Sequence, residues 1–164
     1  MQALIKNLIS IILIVFLFNS AHSMEIQYKV DQSYSSTINN QQAGQVYWYR
    51  HSEILKNAIP IITDSQFIFK ECQINNESEL IMFISPNFFY NPMMTTLYGK
   101  LSIKLYSNDK LEFMKNYEDK ININLLGNYE YYISQMYKKL FNQIKLNIPK
   151  NITHKTSGKL CSLN

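Results

Sequence analysis

The chain has 164 residues, 46% of them hydrophobic and 17% charged, with a formal net charge of +4. That is enough for one domain with a sizeable core. The basic residues are scattered, with Lys138-Lys139 the only adjacent pair. A nucleic-acid binder would gather them into a stripe, so that partner class is excluded.

In chain order, "MQALIKNLISIILIVFLFNSAHS" comes first and reads as a secretory signal. Lys6 supplies the basic start, Leu8 to Phe18 form an apolar run broken only by Ser10, and Ala21-His22-Ser23 supplies small residues at a cleavage site. The run is about half of the roughly 20 residues that a spanning helix needs. Cleavage after Ser23 is expected, leaving no stable transmembrane segment; an uncleaved anchor is the alternative. No cysteine stands near the cleavage site, so a lipid anchor is not expected. The organisation that follows is a signal over 1–23, a single α+β domain over 24–150 and a tail over 151–164.

Ile26, Tyr28 and Val30 alternate with polar residues, the period of a half-buried strand. "QSYSSTINNQQAG" reads as a loop. "VYWYRHSEILKNAI" then places Trp48, His51, Leu55, Ala58 and Ile59 on one helical face, and Pro60 stops or bends that helix. The period next falls to two. "QFIFKECQI" and "ELIMFISP" read as strands, the second apolar on both faces as a central strand would be.

After a proline-rich connection, "TTLYGKLSIKLY" points Leu97, Gly99, Leu101, Ile103 and Leu105 one way and Lys100, Ser102 and Lys104 the other. A hairpin about Asn108-Asp109 leads into a strand whose odd-numbered face holds Leu111, Phe113, Tyr117, Ile121, Ile123 and Leu125. Asn128 is a candidate N-cap for the final helix, in which Tyr129, Tyr132, Ile133, Met136, Tyr137, Leu140, Phe141, Ile144 and Ile148 repeat at helical spacing. The expected fold class is therefore α+β: two layers, an antiparallel β-sheet with two helices on one face, in the order β-α-β-β-β-β-α.

Two cysteines remain beyond the signal, Cys72 and Cys161. In an exported chain such a pair reads as a disulfide, here tying the tail to the body. Closing so long a loop is worth roughly 4–5 kcal/mol in the chain-entropy picture. Asn76-Glu77-Ser78 and Asn151-Ile152-Thr153 match the glycosylation tripeptide, which matters only in a eukaryotic secretory route.

No catalytic motif is present: no G-x-S-x-G elbow, H-E-x-x-H pair, glycine-rich phosphate loop or calcium loop. His51 lies near the apolar face of the first helix and His154 in the polar tail, neither with a base and nucleophile partner at useful spacing. The chain is read as non-enzymatic, without cofactor or metal. Its least ordinary stretch is "PNFFYNPMM", loop-like in its prolines and asparagines and core-like in its other side chains. Phe88, Phe89, Tyr90, Met93 and Met94 are the candidate contacts for a partner or ligand, since aromatic and methionine clusters anchor interfaces. The alternative is that they cap the open end of the sheet.

The strand ending "MFISP", the connection "NFFYNP", the hairpin "LYGKLSIKLYSNDKLEF" and the helix "NYEYYISQMYKKLFNQI" together resemble a group of small α+β envelope-transport accessory proteins of bacteria. These are the YajG-like and LptE-like proteins and the auxiliary lipoproteins of ABC transporters. The resemblance spans residues 25–148 and departs from the group in the missing lipid-bearing cysteine. It implies an exported, periplasmic accessory or binding protein that contacts an envelope protein or lipid. An immunity-like inhibitor of a secreted enzyme is the alternative from another class, and a small secreted hydrolase is a third.

Overall fold

The computed structural model describes residues 23–31, 37–40, 45–48, 50–73, 80–108, 110–124, 128–149 and 152. Residues 1–22, which hold nearly all of the expected signal, lie outside the described residues, as do Leu125, His154, Cys161 and the asparagines of both glycosylation tripeptides. Strand β1 (Met24–Val30) is followed by a small hairpin, β2 (Thr37–Asn40) and β3 (Gln45–Trp48). Helix α1 (His51–Ile62), β4 (Phe67–Glu71), β5 (Leu80–Asn91), β6 (Thr96–Ser107), β7 (Lys110–Asn122) and helix α2 (Tyr129–Asn147) complete the chain.

Five strands form the main sheet in the order β4-β1-β5-β6-β7. The α+β class and the placement of both helices against one face agree with the sequence reading. The sheet is mixed rather than wholly antiparallel, because β1 runs parallel to both β4 and β5. Local periodicity reports which face a residue takes; it carries no information about the direction of a distant partner.

The face under the helices is the core. Ile26 and Tyr28 of β1, Phe67 and Phe69 of β4, Met82, Ile84, Phe88 and Tyr90 of β5 and the odd-numbered residues of β6 meet both helices there. Helix α2 buries Ile133, Met136, Tyr137, Leu140, Phe141 and Ile144, and Asn128 caps it by accepting the Glu130 N–H at 2.9 Å. Gly99 is where α2 comes closest to the sheet. A Cβ there would overlap Met136 Cγ and stand 2.9 Å from its Sδ and 3.2 Å from Phe88.

Four local expectations are corrected. Gln45–Trp48 is a strand paired with β2, so Trp48 is not on the helix, and the stretch read as a loop contains β2. Helix α1 begins at His51 and runs past Pro60, which sits exposed in its last turn; Ile54 and Ile62 are buried in it and Ile59 is only half-buried. Leu111 is exposed, because one register shift in the β6–β7 ladder turns it to the outer face opposite Tyr106.

The fourth is the stretch from Pro86 to Asn91, which is not a connection but the second half of β5. Pro86 is tolerated for a geometric reason. Asp31 N–H donates to Ile84 C=O at 2.8 Å, so the even-numbered backbone groups of β5 face β1. The pairing with β1 extends only to Ile84, so the missing N–H of Pro86 breaks no ladder bond.

Candidate functional site

With Pro86–Asn91 in a strand, its side chains alternate between the two faces. Phe88 and Tyr90 are 5% and 0% exposed, whereas Phe89 is 51%, Met93 88% and Met94 57% exposed. The five candidate contacts therefore divide, with Phe88 and Tyr90 in the core and the other three at the surface. Phe88 lies with its ring centroid 4.9 Å from that of His51 and 5.2 Å from that of Tyr137. Tyr90 meets Tyr129 edge-on at 5.5 Å.

Phe89 stands on the sheet face opposite the helices, paired across the ladder with Tyr98 and 6.3 Å from its ring. The Tyr98 hydroxyl lies 3.6 Å from Met94 Sδ, which joins the hairpin tip to the strand pair. Tyr98 was missing from the sequence reading. The signal for it lies in the even-numbered positions of β6, once β5 is extended far enough to place a partner opposite. Asn87, Lys100 and Glu118 continue the surface around a shallow depression of about 210 Å³, where Lys100 Nζ and Glu118 Oε1 pair at 2.7 Å.

The tip is held by side chains rather than left to thermal motion. Asn91 Oδ1 accepts from the backbone N–H groups of Met93 and Met94 at 3.1 and 3.2 Å. The Thr96 hydroxyl donates to Met94 C=O at 2.8 Å and lies 3.2 Å from Asn122 Oδ1. Thr95, a β-branched residue, is held at φ 46°, a conformation that costs free energy and persists only where its neighbours enforce it. Such a turn presents Phe89, Met93 and Met94 with little ordering left to do on contact.

Among the described residues, the one histidine in the core is paired with a tyrosine. His51 is buried, and its Nδ1 shares a 2.8 Å hydrogen bond with the Tyr137 hydroxyl. Burial depresses its pKa to about 4, so the imidazole is neutral at physiological pH. Burial likewise raises the Tyr137 phenol well above its ordinary range. This pair satisfies two polar groups inside the core, and neither ring reaches solvent. Among the described residues no group of three or more His, Cys, Asp or Glu could hold a metal ion. Among them, too, no helix is long and apolar enough to cross a membrane.

A crystal structure of an uncharacterized protein is similar to this chain at a TM-score of 0.50 and 7% identity, covering 76% of this chain and 90% of that one. A crystal structure of a Xanthomonas campestris protein of the DUF330 family is similar at a TM-score of 0.42 and 8% identity, covering 76% and 80%. The first is a likeness of fold alone, and the second is too distant to carry an argument. No family model matches the chain, and no curated protein does.

Proposed function

We propose that this is an exported, non-enzymatic accessory or binding protein of the bacterial cell envelope, working in the periplasm, like the accessory proteins its element order resembles. It contacts a protein or lipid partner through Phe89, Tyr98, Met93 and Met94. The observation that carries this reading is the division within one strand. Phe88 and Tyr90 serve the core, while Phe89 is left 51% exposed beside Tyr98 and a braced methionine tip. The cross-strand contact with Tyr98 leaves half of the Phe89 surface uncovered, and aromatic and methionine side chains are the residues on which interfaces anchor.

The disulfide belongs to the same reading. Cys72 is half-buried against Ile81 beside Phe83 and Tyr106, its N–H bonds to Tyr28 C=O at 2.9 Å, and no cysteine among the described residues is free. Cys161 is the one other cysteine in the chain. Intact-mass measurement with and without reductant tests the bridge, and fractionation of the source cells tests export.

The partner surface is tested by a photo-crosslinking residue placed at Phe89 in living cells, with the same residue at exposed Ile61 on α1 as the control. Adducts to an envelope protein or lipid from position 89 and not from 61 are expected. Equal labelling from both positions, or none from either, would overturn the assignment.

A further inference from the structure

The two margins of the main sheet differ. One is β4, of five residues, and the other is β7, of 13. A long unpaired margin is a template for another strand unless something blocks it. The ladder fixes which groups of β7 face outward. Ile123 N–H donates to Thr95 C=O at 2.7 Å, and that pair is in register with Leu97–Ile121 through Leu105–Phe113. The odd-numbered residues of β7 therefore bond to β6, and the backbone N–H and C=O of the even-numbered residues point away from the sheet.

Both ends of this margin are closed. At one end Lys120 N–H donates to Asp119 Oδ1 at 2.7 Å, and Lys120 C=O accepts from Lys139 Nζ at 3.2 Å. At the other, the register shift leaves Glu112 without a ladder partner on β6, its carboxylate 3.3 Å from Lys110 Nζ, and a bulge of this kind bends the strand. Between these stops lie Met114, Asn116 and Glu118, all exposed, with outward backbone groups that have no partner among the described residues. The open stretch is thus short, bounded and centred on Asn116.

We propose that this stretch pairs with the same stretch of a second copy of the chain. The strands run antiparallel about a two-fold axis at Asn116, joining the two sheets into one. That register sets Asn116 against itself and Met114 against the partner's Glu118, and it satisfies every outward N–H and C=O of the three residues. It also brings Glu112 level with the partner's Lys120 and Lys115 level with the partner's Tyr117, twice each by symmetry. Lys115 already stands 5.5 Å from the centre of its own Tyr117 ring.

The neighbouring registers are worse. Centring on Lys115 sets Glu112 against the partner's Glu118, a like-charge pair on each side of the axis. Centring on Tyr117 calls on the Lys120 backbone groups, which are already bonded. A foreign extended peptide could also add to a sheet margin, but charges that complement each other only when the strand meets itself favour a second copy. This assembly does not depend on the partner surface at Phe89.

The test is sedimentation equilibrium of the mature, oxidised chain over a range of concentrations. Wild type is expected to dimerise. Lys120→Glu sets like charges together twice and weakens dimerisation on the order of tenfold or more, whereas Glu112→Lys with Lys120→Glu restores it. Asn116→Pro removes an N–H that bonds to none of the described residues and is expected to leave a folded monomer. Circular dichroism and thermal melting check that each variant is folded. A wild-type chain that stays monomeric at every concentration overturns the proposal, including one that captures an extended peptide at β7. So does a dimer that none of these substitutions weakens.

Discussion

The buried His51 makes a prediction whose size follows from its surroundings. Its pKa is about 4 in the fold against 6.5 for a free imidazole, because burial disfavours the cation. A base with a depressed folded pKa binds fewer protons folded than unfolded, so its contribution to stability is complete above pH 6.5 and is lost as pH falls toward 4. The shift amounts to about 3 kcal/mol when integrated across that window, and to about 2 kcal/mol at pH 5. His51→Gln removes the titration while keeping a polar side chain near the Tyr137 hydroxyl. Urea unfolding of both proteins at half-unit steps from pH 7.5 to 4.5 should show wild type losing stability relative to the variant, with a slope approaching 1.4 kcal/mol per pH unit below pH 6. Asp64, whose carboxyl is held low chiefly by the Lys145 ammonium, is the same in both proteins and so cancels from the difference. Parallel curves for the two proteins between pH 7.5 and 4.5 would refute the argument from a desolvated imidazole.

Other expectations concern the division within β5 and the approach of α2. Phe88→Ala should cost about 3–5 kcal/mol in chemical unfolding, since the buried Phe88 ring packs against both His51 and Tyr137. Phe89→Ala should change stability by roughly 0.5 kcal/mol or less, and the contrast separates core from surface in adjacent residues. Gly99→Ala should destabilise by about 1–3 kcal/mol, because its methyl would occupy the space of Met136 Cγ. A Gly99→Ala protein with an unchanged melting temperature would mean that α2 stands further from β6 than described.

Much of this architecture was legible in the residues. The uninterrupted alternation of β6 puts Leu97, Leu101, Ile103 and Leu105 on one face, and the helical spacing of α2 puts Met136, Tyr137 and Phe141 on the stripe that packs on the sheet. The hairpin at Asn108 followed from turn chemistry, and Asn108 does take a positive φ of 50°. What escaped was set by neighbours distant in sequence. Pro86 reads as a strand terminus unless one knows that β1 has already ended beside it. Leu111 reads as core unless the extra residue at Glu112 is known. "TINN" and "QVYW" are too short and too polar to announce a hairpin. The candidate site suffered the same loss: Phe89 separates from Phe88 and Tyr90 only once the segment is known to be extended.

The position of β1 bears on how the N-terminus is handled. The strand begins at Met24, lies between β4 and β5, and has parallel partners that follow it by about 40 residues or more in sequence. Met24 N–H is itself committed to Gln66 C=O at 2.8 Å. Loss of Met24, Glu25 and Ile26 would strip three of the five residue pairs that join β1 to β4, while the pairing with β5, which begins at Gln27, would remain. Parallel pairing over such separations is slow to form, so it is expected to follow the local β5–β6–β7 hairpins. The strand nearest the N-terminus is therefore among the last to be locked in place, and the fold sets its own limit on how far that end can be cut.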